Sequence, residues 1–475
     1  MNKLKFFFTA LFLVALPAAS FAIPLNKTSP RQVNIDLLIV GGTIVTMNGK
    51  HEIITDGAIG IKDGKIAIMR PRRTASRNVR ARRTISAAGQ VVIPGLINTH
   101  THVPMVLFRG ISDDLDLNEW LTKYIFPAEA KNVTEQFVRV GTRLGLAEMI
   151  RGGTTTYCDM YYFEDAVADE TKKAGVRGVL GETIIDFPVA DNKTNSEAMA
   201  YTERFIKKWQ NDPLIVPAAG PHAPYTVSTD HLKAIKAMSD RLNASVVIHV
   251  AETSREGENI SKFLGRYVGT SVGYLLDIGF MSPRTIAAHT VFANSRELDA
   301  LKSQGVGVAH CPQSNMKLAS GVAPIPLMLT KDLAVGLGTD GAASNNDLNM
   351  WEEMDTAAKL HKLTSGDPKT LPAEQAFEMA TIRGARALHL DNLIGSLEVG
   401  KRADITIVDF DSLNQTPFYN VYSHLVYATK AADVRTVIVN GRLLMLDRRL
   451  LTLNENVIKN DANAYREKII KSLGH

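Results

Sequence analysis

Cysteine is scarce: Cys158 and Cys311 are the two among 475 residues. No disulfide framework can hold this fold together, and both thiols sit in or beside apolar, strand-like stretches where free buried cysteines are expected. Apolar runs long enough to cross a membrane are missing too. The longest, Phe6 to Leu16, is too short for ~30 Å of hydrocarbon. It follows Lys3 and Lys5 and precedes Pro17 and Ser20-Phe21-Ala22, the pattern of a secretory signal cleaved after Ala22, so residues 1–22 are expected to be removed and the protein exported, to a periplasm or the medium. No cysteine near Ala22 offers a lipid attachment point, which leaves the mature chain with no membrane partner.

Charge of one sign is not in excess either. With 54 basic and 49 acidic residues the balance is +5, and losing the first 22 residues takes away two lysines and no acid, leaving +3. One run, Arg70 to Arg83, holds seven arginines in fourteen residues. No aromatic interleaves it and no nucleic-acid motif adjoins it, so it reads as a solvated loop, and nucleic acid is not an expected partner. Composition, 45% apolar and 22% charged, is that of a globular chain with a sizeable core, and a homo-oligomer is compatible with it.

The chain is organised around Pro94-Gly95-Leu96-Ile97-Asn98-Thr99-His100-Thr101-His102. Residues i and i+2 of a strand share a face, so a His-x-His at a strand end aims two imidazoles into one cavity. Around it, β-branched runs alternate with helical patterns: Val91 to Asn98, Thr154 to Asp159, Val176 to Glu182, Ile215 to Pro221, Ser245 to Val250, Thr285 to Ala288, Gly305 to Ala309 and Ala334 to Leu337. Eight such runs fit a closed α/β barrel, a TIM-like (β/α)8 fold spanning 94–394. Short runs at Asp36 to Met47, Ile53 to Ile61 and Lys65 to Met69, with turns at Gly41-Gly42, Asn48-Gly49, Asp56-Gly57 and Asp63-Gly64, form a small antiparallel sheet. Asp404 to Asp409 and Val434 to Leu446 read the same way, so 31–93 and 395–452 are expected to build one composite β-sandwich from both chain ends, followed by a terminal helix in 453–475.

The unusual polar residues keep to the strand ends: His100 and His102, then His222, His249 with Glu252, His289, His310 and Asp340. In a barrel those ends surround one mouth. Two histidines from one strand, one from another and an aspartate from the last suit Zn²⁺ or a similar divalent ion and leave a position for water. No lysine stands at the end of run four to bridge two ions, so one metal ion is expected.

The stretches PGLINTHTHVPM (94–105), RGISDDLDLNEWL (109–121), IFPAEAK (125–131), GPHAPYT (220–226), HVAET (249–253), AHCPQSNMKLASG (309–321), LGTDGAASNNDLNMWEEM (337–354) and IGSLEVGKRAD (394–404) together resemble the amidohydrolase superfamily. Within it they resemble the 5-methylthioadenosine/S-adenosylhomocysteine deaminases and their triazine-hydrolase relatives. The resemblance covers nearly the whole mature chain. It implies His100, His102, His249 and Asp340 as ligands of one divalent ion, Zn²⁺ with Fe²⁺ as the alternative, and a hydrolytic release of ammonia from an adenine ring. It implies catalytic roles for Glu252, which protonates the ring nitrogen, for Asp340, which takes the water proton, and for His289, which orients the nucleophile. It further implies substrate contacts from His222 to the base, Glu129 to ribose hydroxyls, Trp120 to the substituent, and Glu252 and Ser344 within the same pocket. The expected partner is a small nucleoside or, alternatively, another amino- or halo-heterocycle. A non-catalytic binding barrel is the remote alternative. One departure stands out: Glu182 occupies a position after run three where such relatives tend to carry arginine.

The small zinc deaminases of nucleic-acid bases are excluded. Their H-x-E and P-C-x-x-C pattern is missing, Cys311-Pro312 being the reverse order with no second cysteine.

Overall fold

The computed structural model describes residues 1, 3–11, 13, 33–75 and 79–473. The expected cleavage point after Ala22 lies outside them. Among the described residues no helix is long and apolar enough to cross a membrane.

The first strands are β1 (Val33–Val45), β2 (Ile53–Lys62), β3 (Lys65–Pro71), β4 (Val79–Ser86) and β5 (Gln90–Pro94). The barrel follows as β6 (Leu96–Thr101), β7 (Thr154–Tyr161), β8 (Arg177–Ile184), β9 (Ile215–Pro221), β10 (Ser245–Val250), β11 (Thr285–His289), β12 (Gly307–His310) and β13 (Ala334–Leu337). The chain ends with β14 (Ile405–Asp409), β15 (Val434–Val439), β16 (Arg442–Leu446), β17 (Arg449–Leu450) and a helix at Glu455–Leu473.

Strands β6 to β13 lie side by side in sequence order in one parallel sheet. Every residue of β6, β7 and β8 is buried, as strands covered on both faces must be. The sheet is nearly closed. Where β13 returns to β6, the Asn98 side chain spans the gap: its Oδ1 accepts the Thr339 N–H (3.0 Å) and its Nδ2 donates to Thr339 Oγ1 (2.8 Å). One residue on, the Asp340 N–H donates to the His100 carbonyl (2.9 Å), tying the last strand end to the first.

The single apolar run read from Val91 is two strands in different sheets. β5 pairs antiparallel with β14 in the outer sheet, and β6 opens the barrel. Gly95 makes the passage possible, because a Cβ there would stand 2.1 Å from Thr155 Oγ1.

Both chain ends contribute to the second sheet, in the order β17-β16-β15-β14-β5-β1-β2-β3, with β4 also paired to β1. It is mixed, since β4 and β5 run parallel to β1. Neither Gly41-Gly42 nor Asp56-Gly57 is a hairpin turn: the first lies inside β1 and the second inside β2, with Gly42 opposite Gly57 at a bulge where Asp56 takes a left-handed conformation (φ 46°). The basic run is no loop either. Its described part is the end of β3, one helical turn and β4, an outer strand with Arg80, Arg82 and Arg83 exposed and Ile85 buried.

A buried ion pair joins barrel to outer sheet. Arg177 from β8 donates from Nε and Nη2 to the Asp404 carboxylate (2.9 and 3.2 Å), and Asp404 also accepts the Asn440 N–H (2.6 Å). Removing one partner of so desolvated a pair costs about 3–5 kcal/mol. The terminal helix packs Tyr465 on Phe137 and pairs Asp461 with Arg143 (3.0 Å), against the helix Glu135–Gly152.

Candidate active site

Strand β6 and the residue just past its end present His100 and His102 to the mouth, and the residue between them points away. Thr101 Oγ1 and the Val103 N–H both donate to Asp159 Oδ1 (2.5 and 2.6 Å), so the end of β7 clamps the His-x-His strand. From β10, His249 arrives with its Nε2 3.3 Å from His102 Nε2. Each of these rings faces a carbonyl through its Nδ1: His102 towards Met160 O and His249 towards His222 O, both at 2.6 Å. A carbonyl only accepts, so both Nδ1 atoms carry a proton and both Nε2 atoms are turned towards the cavity, where each can ligate a metal ion.

Two imidazole Nε2 atoms at that distance need a positive charge to bridge them, either a proton on one ring or a metal ion. Asp340 Oδ1 completes the arrangement, 3.3 Å from His102 Nε2 and 3.5 Å from His100 Nε2. His100 is fully buried and neither of its ring nitrogens has a hydrogen-bond partner. The donor atoms of His100, His102 and His249 lie within 4.8 Å of one another, as do those of His100, His289 and Asp340. These residues fit a divalent ion on their donor chemistry alone.

The electrostatics agree. Burial and the neighbouring imidazoles hold His100 and His249 well below the ordinary histidine range, and burial puts His222 at about 3. Burial works on His102 in the same sense, yet the Asp340 carboxylate outweighs it and lifts His102 to about 9. Without a metal, the positive charge that Asp340 demands falls on His102; a bound cation takes its place.

Asp340 is set by its surroundings. Its Oδ2 accepts from Ser314 Oγ (2.7 Å) and Ser344 Oγ (2.9 Å), and its Oδ1 accepts the Gly341 N–H (2.7 Å). Ser344 thus braces the carboxylate and is not among the residues lining the cavity. Left-handed backbone occurs at Ala251 (φ 51°), His289 (φ 68°) and Asp340 (φ 62°), three positions at this mouth. Strain of this kind costs about 1–3 kcal/mol per residue and persists where surrounding contacts impose it.

Glu252 follows β10 and is 4% exposed. Its backbone N–H and that of Ala251 donate to the buried Glu256 carboxylate (2.8 and 2.7 Å), which fixes the loop independently of the Glu252 side chain. Burial, aided by Asp340 and Glu256 and opposed by His289, raises the Glu252 carboxyl to about 7. His289 Nε2 stands 3.8 Å from Glu252 Oε2, and its Nδ1 meets Asn315 Oδ1 at 2.9 Å. Near neutrality Glu252 can therefore both give and take a proton.

The cavity in front of these groups is walled by Met105, Trp120, Leu121, Ile125 and Phe126, with His222, Tyr225 and Glu129 among its polar lining. The segment over it passes from a short helix at Leu117–Glu119 through a π-helical turn, Trp120–Ile125, into the helix Phe126–Asn132. Such π turns occur frequently at functional sites. Glu129 accepts from Tyr161 OH (2.7 Å), and burial lifts its carboxyl to about 7. His222 pairs with Thr226 Oγ1 through Nδ1 (3.0 Å), leaving Nε2 for the cavity. His310 is elsewhere, paired with His361 at 3.2 Å.

Glu182 does not line the cavity. It is fully buried, accepting from the Glu164 N–H (3.0 Å) and Asn192 Nδ2 (3.2 Å). Burial and the adjacent Asp191 carboxyl push it well above the usual carboxylate range.

Residues 91–444 match the model of the amidohydrolase family. The chain is 48% identical over 419 residues to the 5-methylthioadenosine/S-adenosylhomocysteine deaminase of Syntrophobacter fumaroxidans, covering 88% of this chain and 95% of that one. It is 42% identical over 438 residues to the 5'-deoxyadenosine deaminase of Methanosarcina acetivorans, covering 92% and 98%. Among solved structures, an adenosine deaminase from Xanthomonas campestris with bound zinc superposes with a TM-score of 0.90 at 37% identity, over 93% of this chain and 100% of that one.

Proposed function

Because the chain belongs to the amidohydrolase family, we propose that it is a metal-dependent hydrolase that releases ammonia from the adenine ring of a thio-substituted nucleoside, of the 5'-methylthioadenosine or S-adenosylhomocysteine type. One observation carries the reading: two imidazole Nε2 atoms 3.3 Å apart, with Asp340 Oδ1 beside them and a carboxyl poised near neutrality next door. The names of the relatives support the substrate class.

His100, His102, His249 and Asp340 would hold the ion, Zn²⁺ on the evidence of the zinc-bound neighbour, with Fe²⁺ the alternative. A divalent ion there supplies the Lewis acidity that makes water nucleophilic near pH 7. The chain's residues do the rest. Glu252 donates a proton to the ring nitrogen beside the carbon under attack, while Asp340 takes the proton of the attacking water and passes it to the departing ammonia. His289, oriented by Asn315, holds the attacking oxygen in line and steadies the negative charge that develops. His222 meets the base, Glu129 accepts from ribose hydroxyls, and Trp120 packs on the substituent. The apolar roof excludes bulk water, which strengthens each of these interactions.

A screen of purified protein for ammonia release from adenosine derivatives, guanine, cytosine and triazines tests the reading. Release from adenosine derivatives alone is expected; release from triazines or guanine and none from any adenosine derivative would overturn it. The N-terminal pattern at Lys3 to Ala22 supports an exported protein whose substrate is met outside the cytoplasm.

A further inference from the structure

Next to the inner cavity lies a second one of about 450 Å³. The two share Leu117, Leu121 and Tyr225, which divide them. Their chemistry is opposite. The inner lining carries the acids Glu129, Glu252 and Asp340 and no lysine or arginine. The outer lining carries Arg255 and Lys262, and its one acid is Asp116. Asp116 is partly spent: its Oδ1 accepts the N–H groups of Asn118 and Glu119 (3.0 and 3.1 Å). Among the described residues neither Arg255 nor Lys262 has an ion-pair partner.

These two cations are held at a fixed offset from the reacting centre. Arg255 stands three residues after Glu252, and Lys262 is on the helix Glu256–Leu264. That helix is anchored by the buried Glu256, which grips the Ala251 and Glu252 N–H groups and the Ser271 hydroxyl. Opposite them, Leu117 and Asn118 come from the segment that roofs the inner cavity.

An anionic group is unwelcome in the inner cavity, where it would be desolvated beside Glu129 and Glu252 with no lysine or arginine to meet it, the proposed metal ion being engaged by Asp340 and the histidines. A carboxylate on a longer arm meets Arg255 and Lys262, while the methylenes or thioether of that arm pass Leu117, Leu121 and Tyr225. We propose, building on the nucleoside reading above, that the outer cavity is a second subsite, which binds the carboxylate of an amino-acid-bearing substituent. An ammonium on the same substituent faces Asp116. The enzyme then takes a tailed nucleoside as well as a short neutral one, through different parts of its surface.

The test compares steady-state deamination of 5'-methylthioadenosine, which ends in a methyl group, and of S-adenosylhomocysteine, which ends in an amino acid. Wild type and the double variant Arg255→Ala/Lys262→Ala are compared at low and high salt. Two exposed charge contacts predict a fall in kcat/KM of about 3- to 30-fold for S-adenosylhomocysteine, through KM, shrinking at high salt. The methylthio substrate is unaffected. A charge reversal, Arg255→Glu, deepens the selective loss, and thermal melts confirm folding of both variants. Equal losses on the two substrates, no loss on either, or a wild type that deaminates the methylthio compound and not S-adenosylhomocysteine would each refute the subsite alone. Failure to deaminate any adenosine derivative would instead refute the nucleoside reading and the subsite with it.

Discussion

Replacing Glu252 by glutamine should separate metal binding from chemistry. The loop that carries Glu252 is held by backbone N–H groups on Glu256, and Glu252 is not one of the four proposed metal ligands, so neither the loop nor the ion depends on its carboxyl. The amide keeps the shape and one donor but cannot pass a proton to the ring nitrogen. General acid-base groups contribute typically ~100- to 10,000-fold, and turnover should fall by that order with metal content unchanged. Stability should move the other way. Burial lifts the Glu252 carboxyl from an ordinary 4.5 to about 7, so between those values the folded chain binds more protons than the unfolded one. Stability from this group is fully present below about 4.5 and is lost as pH rises through 7. The ceiling is roughly 3 kcal/mol, which for a chain of this size is a few degrees in Tm at most, on the order of 3 °C. In chelator-treated protein, Glu252→Gln should therefore melt higher than the parent at pH 8, and the gap should close towards pH 4.5. The assays are ammonia release, elemental analysis and thermal melts at the two pH values. Turnover near the parent rate with metal in place would refute the proton assignment.

His249→Ala or Asp340→Ala should each abolish the binding of about one divalent ion per chain, read by elemental analysis, and active parent protein without metal would contradict the site. Glu182→Gln should flatten the pH dependence of stability, because burial and Asp191 push the parent carboxyl well above 4.5, so the parent weakens as pH climbs from that value. Melts from pH 5 to 9 show this as a rising advantage of the variant, and parallel curves would show that Glu182 is ionised at little penalty. N-terminal sequencing of native protein from an exported fraction should begin at Ile23; Met1 on native cytoplasmic protein would remove the export assignment.

What the sequence reveals and what it hides divide along physical lines. The eight buried strands are legible because parallel strands covered on both faces read as continuous β-branched runs, and His100, His102, His249, His289 and Asp340 are legible because each ends such a run. The sheet boundary at Gly95 is not, since β5 and β6 share one apolar pattern and differ in which neighbours they pair with. Arg80 to Arg83 mislead for a related reason: an outer strand keeps exposed charges, so hydropathy reads it as loop.

The supports of the site are hidden for another reason. Asp159, Asn98, Thr339, Ser314 and Asn315 support the site through partners distant in sequence, which are reached only when strand ends meet across the mouth. Ser314 and Asn315 lie inside the stretch 309–321 and could have been singled out as the polar pair after a strand-end histidine. Asp159 offers a weaker signal, an acid closing an apolar strand. Its function emerges from the alternation of β6: with His100 and His102 on the cavity face, Thr101 must face the opposite way, and the burial there is relieved by a carboxylate that takes both the Thr101 hydroxyl and the Val103 N–H. The His-x-His spacing thus dictates the need for a buried acceptor on the neighbouring strand, although the residue that meets it can be found only once β6 and β7 are paired.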